Sequence, residues 1–174
     1  GSPVSTTAVL SGACTILQAN IQSKWDANKL YLFVSTTSDN VVSNNADLVE
    51  VYLDMNNSRS RNYQDGDYQF GFQPGALTSF DNNINGQGTV TFTTAASEYS
   101  TLIPGGSGVG KNWMFEAALA WRKISPGFIP SNGKQIGFEI HIKNNLQNCT
   151  AAYSERIIEQ SWLSPQRFGT LILN

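Results

Sequence analysis

The strongest constraint on the fold is a series of short runs in which apolar and polar residues alternate, each followed by turn-forming residues. Trp113–Trp121 is apolar at every odd position. Its alanines also favour a helix, but a two-residue period indicates a strand. The predicted strands are Thr15–Ser23, Leu30–Thr36, Leu48–Leu53, Tyr68–Gln73, Thr89–Thr93, Trp113–Trp121, Gln135–Lys143 and Thr170–Leu173. This spacing predicts an all-β chain that folds as a single antiparallel β-sandwich.

The remaining segments predict little helix and one domain. Short helices are predicted only at Ala95–Leu102 and Glu155–Gln160. The glycine-rich segment Ile103–Gly110 has the wrong spacing for a phosphate-binding loop and is predicted as a flexible loop. A length of 174 residues predicts one domain over residues 1–174, and the opening Gly1-Ser2 is typical of a cloning scar.

The composition excludes several classes of partner. Only 14% of the residues are charged, against about 25% in an average soluble domain. The net charge is −2 and no basic run occurs, which argues against nucleic acid. No apolar run is long enough to span a membrane, so membrane insertion is not predicted. The many Asn, Ser, Thr and Gly residues are typical of an extracellular β protein and predict a secreted or periplasmic location.

The two cysteines leave two alternatives open. Cys14 and Cys149 are far apart in the chain. They form either one disulfide that closes a long loop or two buried thiols.

The chain shows no sign of a catalytic apparatus. Glu50, Glu116 and Glu139 lie on predicted strands, but no pattern pairs them as general acid and base. The single histidine, His141, is accompanied by no nucleophile motif. The sequence therefore predicts that the protein is not an enzyme.

Trp162 is the residue that most suggests recognition. It lies in a polar turn that is followed by Pro165 and Gly169. A large apolar ring in such a turn serves either as a platform for a ligand or as an anchor packed on the sandwich. Both interpretations remain open from the sequence.

Six stretches, in order over residues 24–173, resemble the family-nine carbohydrate-binding modules, a branch of the DOMON-like β-sandwiches. They begin at Lys24-Trp-Asp-Ala-Asn-Lys-Leu-Tyr-Leu and end at Trp162-x-x-Pro-x-x-Phe-Gly-Thr-Leu. The four between them are Asp47-Leu-Val-Glu-Val-Tyr-Leu-Asp-Met-Asn-Asn, Asp65-Gly-Asp-Tyr-Gln-Phe, Phe115-Glu-Ala-Ala-Leu-Ala-Trp and Ile136-Gly-Phe-Glu-Ile. The family's usual opening, an Ile-Asp-Gly segment and a tryptophan, is missing.

The resemblance implies a non-catalytic module that binds a glycan and belongs to a larger secreted protein acting on polysaccharides. In the family a sugar lies between two aromatic rings. Trp162 matches the second ring, whereas 43–46 (Ser-Asn-Asn-Ala) replaces the first and Gly71 replaces an arginine. The implied sugar-binding residues are Trp162, Glu50, Gln73 and His141. The ligand implied is a β-linked plant polysaccharide or oligosaccharide.

A structural calcium site is also predicted. Asp54, Asn56, Asp65 and Asp67 place oxygen atoms close together in one polar loop, and calcium takes six to eight oxygen ligands. Members of the family often carry structural calcium, which favours this prediction. The alternative is a turn in which these side chains accept hydrogen bonds from their own backbone.

Two alternatives to sugar binding remain. Some DOMON-like sandwiches bind haem b through a methionine and a histidine or lysine, and this chain has His141, Met55 and Met114. Met55 is expected in the polar loop and Met114 on the outward side of its strand. The other alternative is a structural or interaction sandwich that has lost sugar binding.

Overall fold

The computed structural model describes residues 4–7, 9–11, 18–37, 48–81, 90–102, 112–144, 149–154 and 161–174. These residues form two antiparallel β-sheets, with one turn of α-helix, α1 (Trp121–Ile124). The strands in chain order are β1 (Val4–Thr7), β2 (Val9–Ser11), β3 (Gln18–Trp25), β4 (Lys29–Thr37), β5 (Leu48–Asp54), β6 (Asp67–Phe72), β7 (Phe80–Asp81), β8 (Tyr99–Leu102), β9 (Asn112–Ala120), β10 (Gln135–Asn144), β11 (Cys149–Ala152) and β12 (Gly169–Ile172). The predicted antiparallel β-sandwich is confirmed.

Each sheet draws on strands from both halves of the chain. The first sheet has the order β1-β3-β4-β9-β8, and the second has the order β2-β11-β10-β5-β6-β7. Strand β10 lies in the middle of the second sheet. One of its edges pairs with β5, and the other pairs with β12 at its start and β11 at its end. None of the described helices is long and apolar enough to cross a lipid bilayer.

The core between the sheets follows the alternation seen in the sequence. Leu30, Leu32 and Val34 of β4 are buried, while the residues between them are only partly buried. An aromatic cluster fills one part of the core. The Phe72 ring lies 4.9 Å from Phe115 and 5.1 Å from Tyr99, measured between centroids. Inward residues of both sheets thus share one apolar core.

The second sheet departs from simple alternation because both of its faces are covered. All seven residues of β5 are buried, including Glu50, Tyr52 and Asp54, which lie on the face turned away from the core. Strand period alone predicts that these residues face solvent. Their burial places a polar layer beneath the loops that carry the candidate site.

Several predicted elements differ from the structure. Ala95–Leu102 is not a helix: a turn leads into β8, whose edge pairs with β9. Thr89–Thr93 is not a regular strand, since its described part makes only the isolated bridge between Thr93 and Thr78. Strands β1, β2, β7 and β11 were not predicted. The predicted helix at 155–160, the loop at 103–110 and Cys14 lie outside the described residues, so the disulfide stays a prediction.

The packing of Phe72 predicts a large loss of stability on truncation. Phe72→Ala removes a fully buried ring from the aromatic cluster, which is expected to lower the free energy of unfolding by about 3–5 kcal/mol. Leu77→Ala is the control, because Leu77 is exposed and its loss is expected to cost less than about 0.5 kcal/mol. Urea denaturation measures both, and equal effects would contradict this description of the core.

Candidate functional site

The candidate site is built on the outer face of the second sheet. Strands β10, β5 and β6 lie side by side in register there, so polar residues from three distant segments stand in rows across the sheet. The rows are His141–Glu50–Gly71, Glu139–Tyr52–Gln69 and Gly137–Asp54–Asp67. Neighbouring rows are two residues apart along each strand, which brings their side chains into contact.

Glu50 is the centre of the hydrogen-bond network on this face. Its Oε2 lies 2.8 Å from the Lys143 ammonium and accepts the Tyr52 hydroxyl at 2.9 Å. Its Oε1 accepts the Gln69 amide at 3.0 Å. A buried carboxylate is tolerated only when it is paired and hydrogen-bonded. These three partners fix the orientation of the predicted binding residue Glu50.

His141 lies beneath this network rather than at the surface. Its side chain is fully buried, its ring packs edge-on at 4.9 Å from the Tyr52 ring, and its Nδ1 lies 3.5 Å from the Tyr52 hydroxyl. A buried ring cannot touch a sugar without a local rearrangement. The geometry gives His141 the task of positioning Tyr52.

Gln73 lies apart from the network. It is exposed and follows the end of β6, and its backbone carbonyl accepts a hydrogen bond from the Ala76 amide at 3.1 Å. The glutamine that reaches Glu50 is Gln69, which shares the strand parity of Gln73. Sequence reasoning missed Gln69, Tyr52 and Lys143, and only the register of β6 and β10 against β5 identifies them.

The turn that carries Trp162 is docked on the rest of the site while its ring remains accessible. The Ser161 carbonyl accepts the Tyr63 hydroxyl at 2.8 Å, and the Ser164 hydroxyl donates to the Ser60 carbonyl at 3.2 Å. The Trp162 side chain is nevertheless 48% exposed. The turn is therefore anchored through Ser161 and Ser164, and about half of Trp162 remains accessible to solvent.

A chain of ring contacts connects this turn to the buried network. The Tyr63 ring lies 6.1 Å from Phe168, and Phe168 lies 5.6 Å from Tyr52. Arg59 fastens the same segment, because its guanidinium donates to the carbonyl of Phe168, to the Gly169 carbonyl at 2.9 Å and to the Thr170 hydroxyl. Arg59 carries no motif that sequence reasoning recognises, whereas Phe168 belongs to the last of the six stretches that resemble the family.

The predicted calcium residues converge in one strand-and-turn unit, and they also satisfy the local backbone. Asp54 accepts the Ser58 amide at 3.1 Å and the Arg59 amide at 2.9 Å, and Asn56 accepts the Ser58 amide at 2.9 Å. Asp67 lies directly across from Asp54 and accepts the Gln64 amide at 2.7 Å.

The pKa of Asp67 is shifted by its surroundings. Burial, to which the neighbouring Asp54 adds, raises the pKa of Asp67 to about 7 against the lowering effect of the hydrogen bond from the Gln64 amide. Within the described ranges, no three His, Cys, Asp or Glu side chains come together as a metal site. The unit thus offers a carboxylate pair supplemented by amide and carbonyl oxygens.

The residues of the haem alternative lie in different layers. Met55 lies in the turn after β5, as expected, but its side chain is buried and belongs to the core cluster. Met114 lies on the outward side of β9 in the first sheet, as expected, whereas His141 lies on the outer face of the second sheet. The described residues therefore do not bring His141 and Met114 to a common axial site.

Glu139 is a second buried carboxyl group of the same face. It accepts the Ser154 amide at 2.9 and 3.0 Å and the Ile140 amide at 3.2 Å. Burial raises its pKa to about 7, although these hydrogen bonds and the nearby His141 act in the opposite direction.

This raised pKa predicts a pH dependence of stability. Between the ordinary carboxyl pKa of 4.5 and about 7, the folded state holds a proton that the unfolded state releases. The free energy of unfolding should therefore fall as pH rises through this range, by up to about 1.4 kcal/mol per pH unit from this group. Glu139→Gln keeps an acceptor for Ser154 and should flatten the decline in denaturation measured across the range. Glu116→Gln, at an exposed position, should leave it unchanged, and an unchanged slope in Glu139→Gln would contradict the assignment.

Comparison with known proteins agrees with the fold. The sequence profile described as "Carbohydrate family 9 binding domain-like" matches residues 2–174. The chain is 27% identical over 179 residues to endo-1,4-beta-xylanase A of Thermoanaerobacterium saccharolyticum, covering 98% of this chain but 14% of that protein. It is also 27% identical to endo-1,4-beta-xylanase A of Thermotoga neapolitana, covering 89% of this chain and 14% of the relative. The chain thus spans about one-seventh of the length of these relatives.

Solved structures share the same architecture. A family 9 carbohydrate-binding module from Caldicellulosiruptor kristjanssonii in complex with cellotriose superimposes with a TM-score of 0.69 at 21% identity, covering 99% of this chain and 83% of that one. A putative carbohydrate-binding protein from Bacteroides uniformis gives a TM-score of 0.68 at 13% identity, with 99% and 87% coverage. The family expected from the six sequence stretches is confirmed, and with it the expectation of a binding domain rather than an enzyme. The chain belongs to the family 9 carbohydrate-binding modules, which are non-catalytic domains.

Proposed function

We propose that the Trp162 turn and the polar face behind it form the glycan-binding site of this module. The observation that carries this proposal is the half-exposed Trp162 ring. The turn is bound to Tyr63 through the Ser161 carbonyl, and ring contacts from Tyr63 through Phe168 to Tyr52 connect it to the Glu50 network. A pyranose has an apolar C–H face that packs on an aromatic ring and a rim of hydroxyl groups that need hydrogen bonds. Trp162 supplies the ring, and polar groups at the edge of the face supply the hydrogen bonds.

The ligand we propose is an uncharged β-linked plant glycan. The related modules are described with cellotriose and with glucose, and the longer relatives are endo-1,4-beta-xylanases. We infer that this module is likewise part of a larger polysaccharide-active protein, secreted or periplasmic. The segment that would carry the family's first ring, around Asn44, lies outside the described residues. A tryptophan is missing from it, so one ring can stack on a unit within a chain rather than only at a chain end.

Within this site, each predicted residue has a separate task. Trp162 stacks on the sugar, Glu50 orients Gln69 and Tyr52 through its buried hydrogen bonds, and His141 packs against the Tyr52 ring. Gln73, exposed beyond the end of β6, supplies a contact at the rim. A single platform predicts weak binding, with dissociation constants nearer millimolar than micromolar, equivalent to about −4 to −6 kcal/mol.

Removal of the indole tests the proposal. Trp162→Ala should abolish binding of cellotriose in isothermal titration calorimetry. It should change the melting temperature by only a few degrees, because the ring is half exposed. Leu163→Ala is the matched control, since Leu163 lies in the same turn and is 47% exposed, and it should bind as the wild type does. Unfolding of Trp162→Ala would show that the ring is a structural anchor, and unchanged binding would place the ligand elsewhere.

We also propose that Asp54 and Asp67 hold a structural calcium ion, with Asn56 and Asp65 in the adjoining turn. The donor set fits a hard cation, because two carboxylates that face each other at close range are stabilised by a positive charge between them. Each carboxylate retains lone pairs beyond those used by the backbone amides. The ion would fasten the loop that carries Arg59 and thereby support the Trp162 turn.

Calcium bound only to the folded state would add about 2.7 kcal/mol at a hundredfold excess over the dissociation constant. Addition of a chelator should therefore lower the melting temperature, and calcium but not sodium should restore it. Asp67→Asn should remove this response, whereas Glu116→Gln should retain it. A melting curve unaffected by chelation, with no metal in elemental analysis, would leave the turn stabilised by its own hydrogen bonds alone.

A further inference from the structure

The outer face of the first sheet contains a groove that the proposed site does not use. It lies on the opposite side of the sandwich from the Trp162 turn and has a volume of about 860 Å³. Strands β3, β4, β9 and β8 all contribute to its lining, so the floor extends across the sheet. Volumes of about 300–1,000 Å³ are typical of small-molecule sites.

Two aromatic rings of β4 belong to the apolar part of the floor. Tyr31 and Phe33 both point outwards from β4, because Leu30, Leu32 and Val34 between and beside them fill the core. Side chains two residues apart on a strand are separated by about 7 Å. The Tyr31 hydroxyl donates to Asp26 Oδ2 at 2.9 Å, which holds that ring in place.

Polar side chains surround these rings. Gln22 and Glu116 flank Phe33 on the neighbouring strands, Ser100 lies beside Glu116, and Lys24 lies beside Tyr31. In the described part of the structure, none of these four side chains makes a hydrogen bond or ion pair within the protein. Glu98, at the edge of the groove, is instead bound to Lys123 at 2.5 Å. The groove thus combines the Tyr31 ring, which is held by its hydrogen bond to Asp26, and the neighbouring Phe33 ring with polar side chains whose hydrogen-bonding groups are available to a ligand.

We propose that this groove is a second glycan-binding site, which takes an internal stretch of an uncharged polysaccharide chain. Rings that lie side by side offer stacking surfaces to successive sugars, and the surrounding groups match a rim of hydroxyls. The charges of Lys24 and Glu116 have opposite signs, so the floor carries little net charge and favours a neutral ligand. A protein partner fits less well, because the cores of protein interfaces are depleted in Lys and Glu. This proposal goes beyond the Trp162 site and does not rest on it.

The test uses the Trp162→Ala protein, in which the first site is removed. Cellohexaose and xylohexaose are titrated into the ¹⁵N-labelled chain, and amide chemical shifts are followed. Saturable shifts are expected at Ala117 and Ala118 of β9 with at least one of these sugars. An oligogalacturonate of the same length, which is acidic, should bind more weakly. If neither neutral sugar shifts these amides, the proposal is overturned.

Substitutions of residues that line the groove test whether the chemical-shift changes arise from binding there. Phe33→Ala in the same background should weaken binding by about tenfold or more, the equivalent of about 1.4 kcal/mol. Ser35→Ala is the matched control, since Ser35 lies on the same face of β4 but does not line the groove. Ser100→Trp places a ring over the groove from an exposed position and should block binding even if Phe33→Ala fails to fold. Retained binding in Ser100→Trp would overturn the proposal.

The outcomes separate the two sites. If Trp162→Ala loses all glycan binding, the proposed function stands and the second site is overturned. If Trp162→Ala binds as before and Ser100→Trp binds nothing, the second site stands and the assignment to Trp162 fails. A concentration-dependent dimer that Ser100→Trp dissociates, with no shift on adding sugar, would assign the groove to a second copy of the chain and overturn the glycan proposal.

Discussion

The structure of the candidate site depends on the burial of one carboxylate. Glu50 lies in the middle of the second sheet and is almost inaccessible to solvent, so its charge must be compensated from within the protein. The compensation comes from Lys143 on one neighbouring strand and Gln69 on the other, with Tyr52 on its own strand. This requirement couples the register of β10, β5 and β6 to the polar chemistry of the face. A slip of one residue would turn all of these side chains towards the core.

The side chains that cover this polar layer also support the Trp162 turn. Phe168 packs on Tyr52, Tyr63 packs on Phe168, and Arg59 fastens the segment through backbone carbonyls. These contacts pass through backbone atoms and a buried ring, and Trp162 stays half exposed on the turn that they orient. A rigid Trp162 turn would lose less conformational entropy when a ligand binds. This effect matters most if, as proposed, one aromatic ring supplies the stacking.

The sequence predicted the fold better than the site, and the reason lies in what strand periodicity can report. The two-residue period of Trp113–Trp121 correctly indicated a strand despite its alanines, since β9 runs over Asn112–Ala120. The same reasoning placed Glu50 on the face away from the core but could not show that this face is covered. Nor could it identify Gln69 or Lys143 as partners, because neither register nor loop docking is encoded locally. Ala95–Leu102 was predicted as a helix from local preference. Its last four residues instead form β8, because they pair with the edge of β9.

Gly169, at the start of β12, fixes where the segment that carries the Trp162 turn rejoins the sandwich. A Cβ atom there would lie 2.7 Å from the Cβ of Ser154 and 2.8 Å from the ring of Tyr153, so no larger residue fits without moving the strand. The path of the backbone is therefore fixed by packing at Gly169, whereas Trp162 and Leu163, earlier in the same segment, are about half exposed. The exposed positions of the turn can vary at little cost to the sandwich, while the junction at Gly169 cannot. The candidate site and the sheet that supports it are thus joined at a position that admits only glycine.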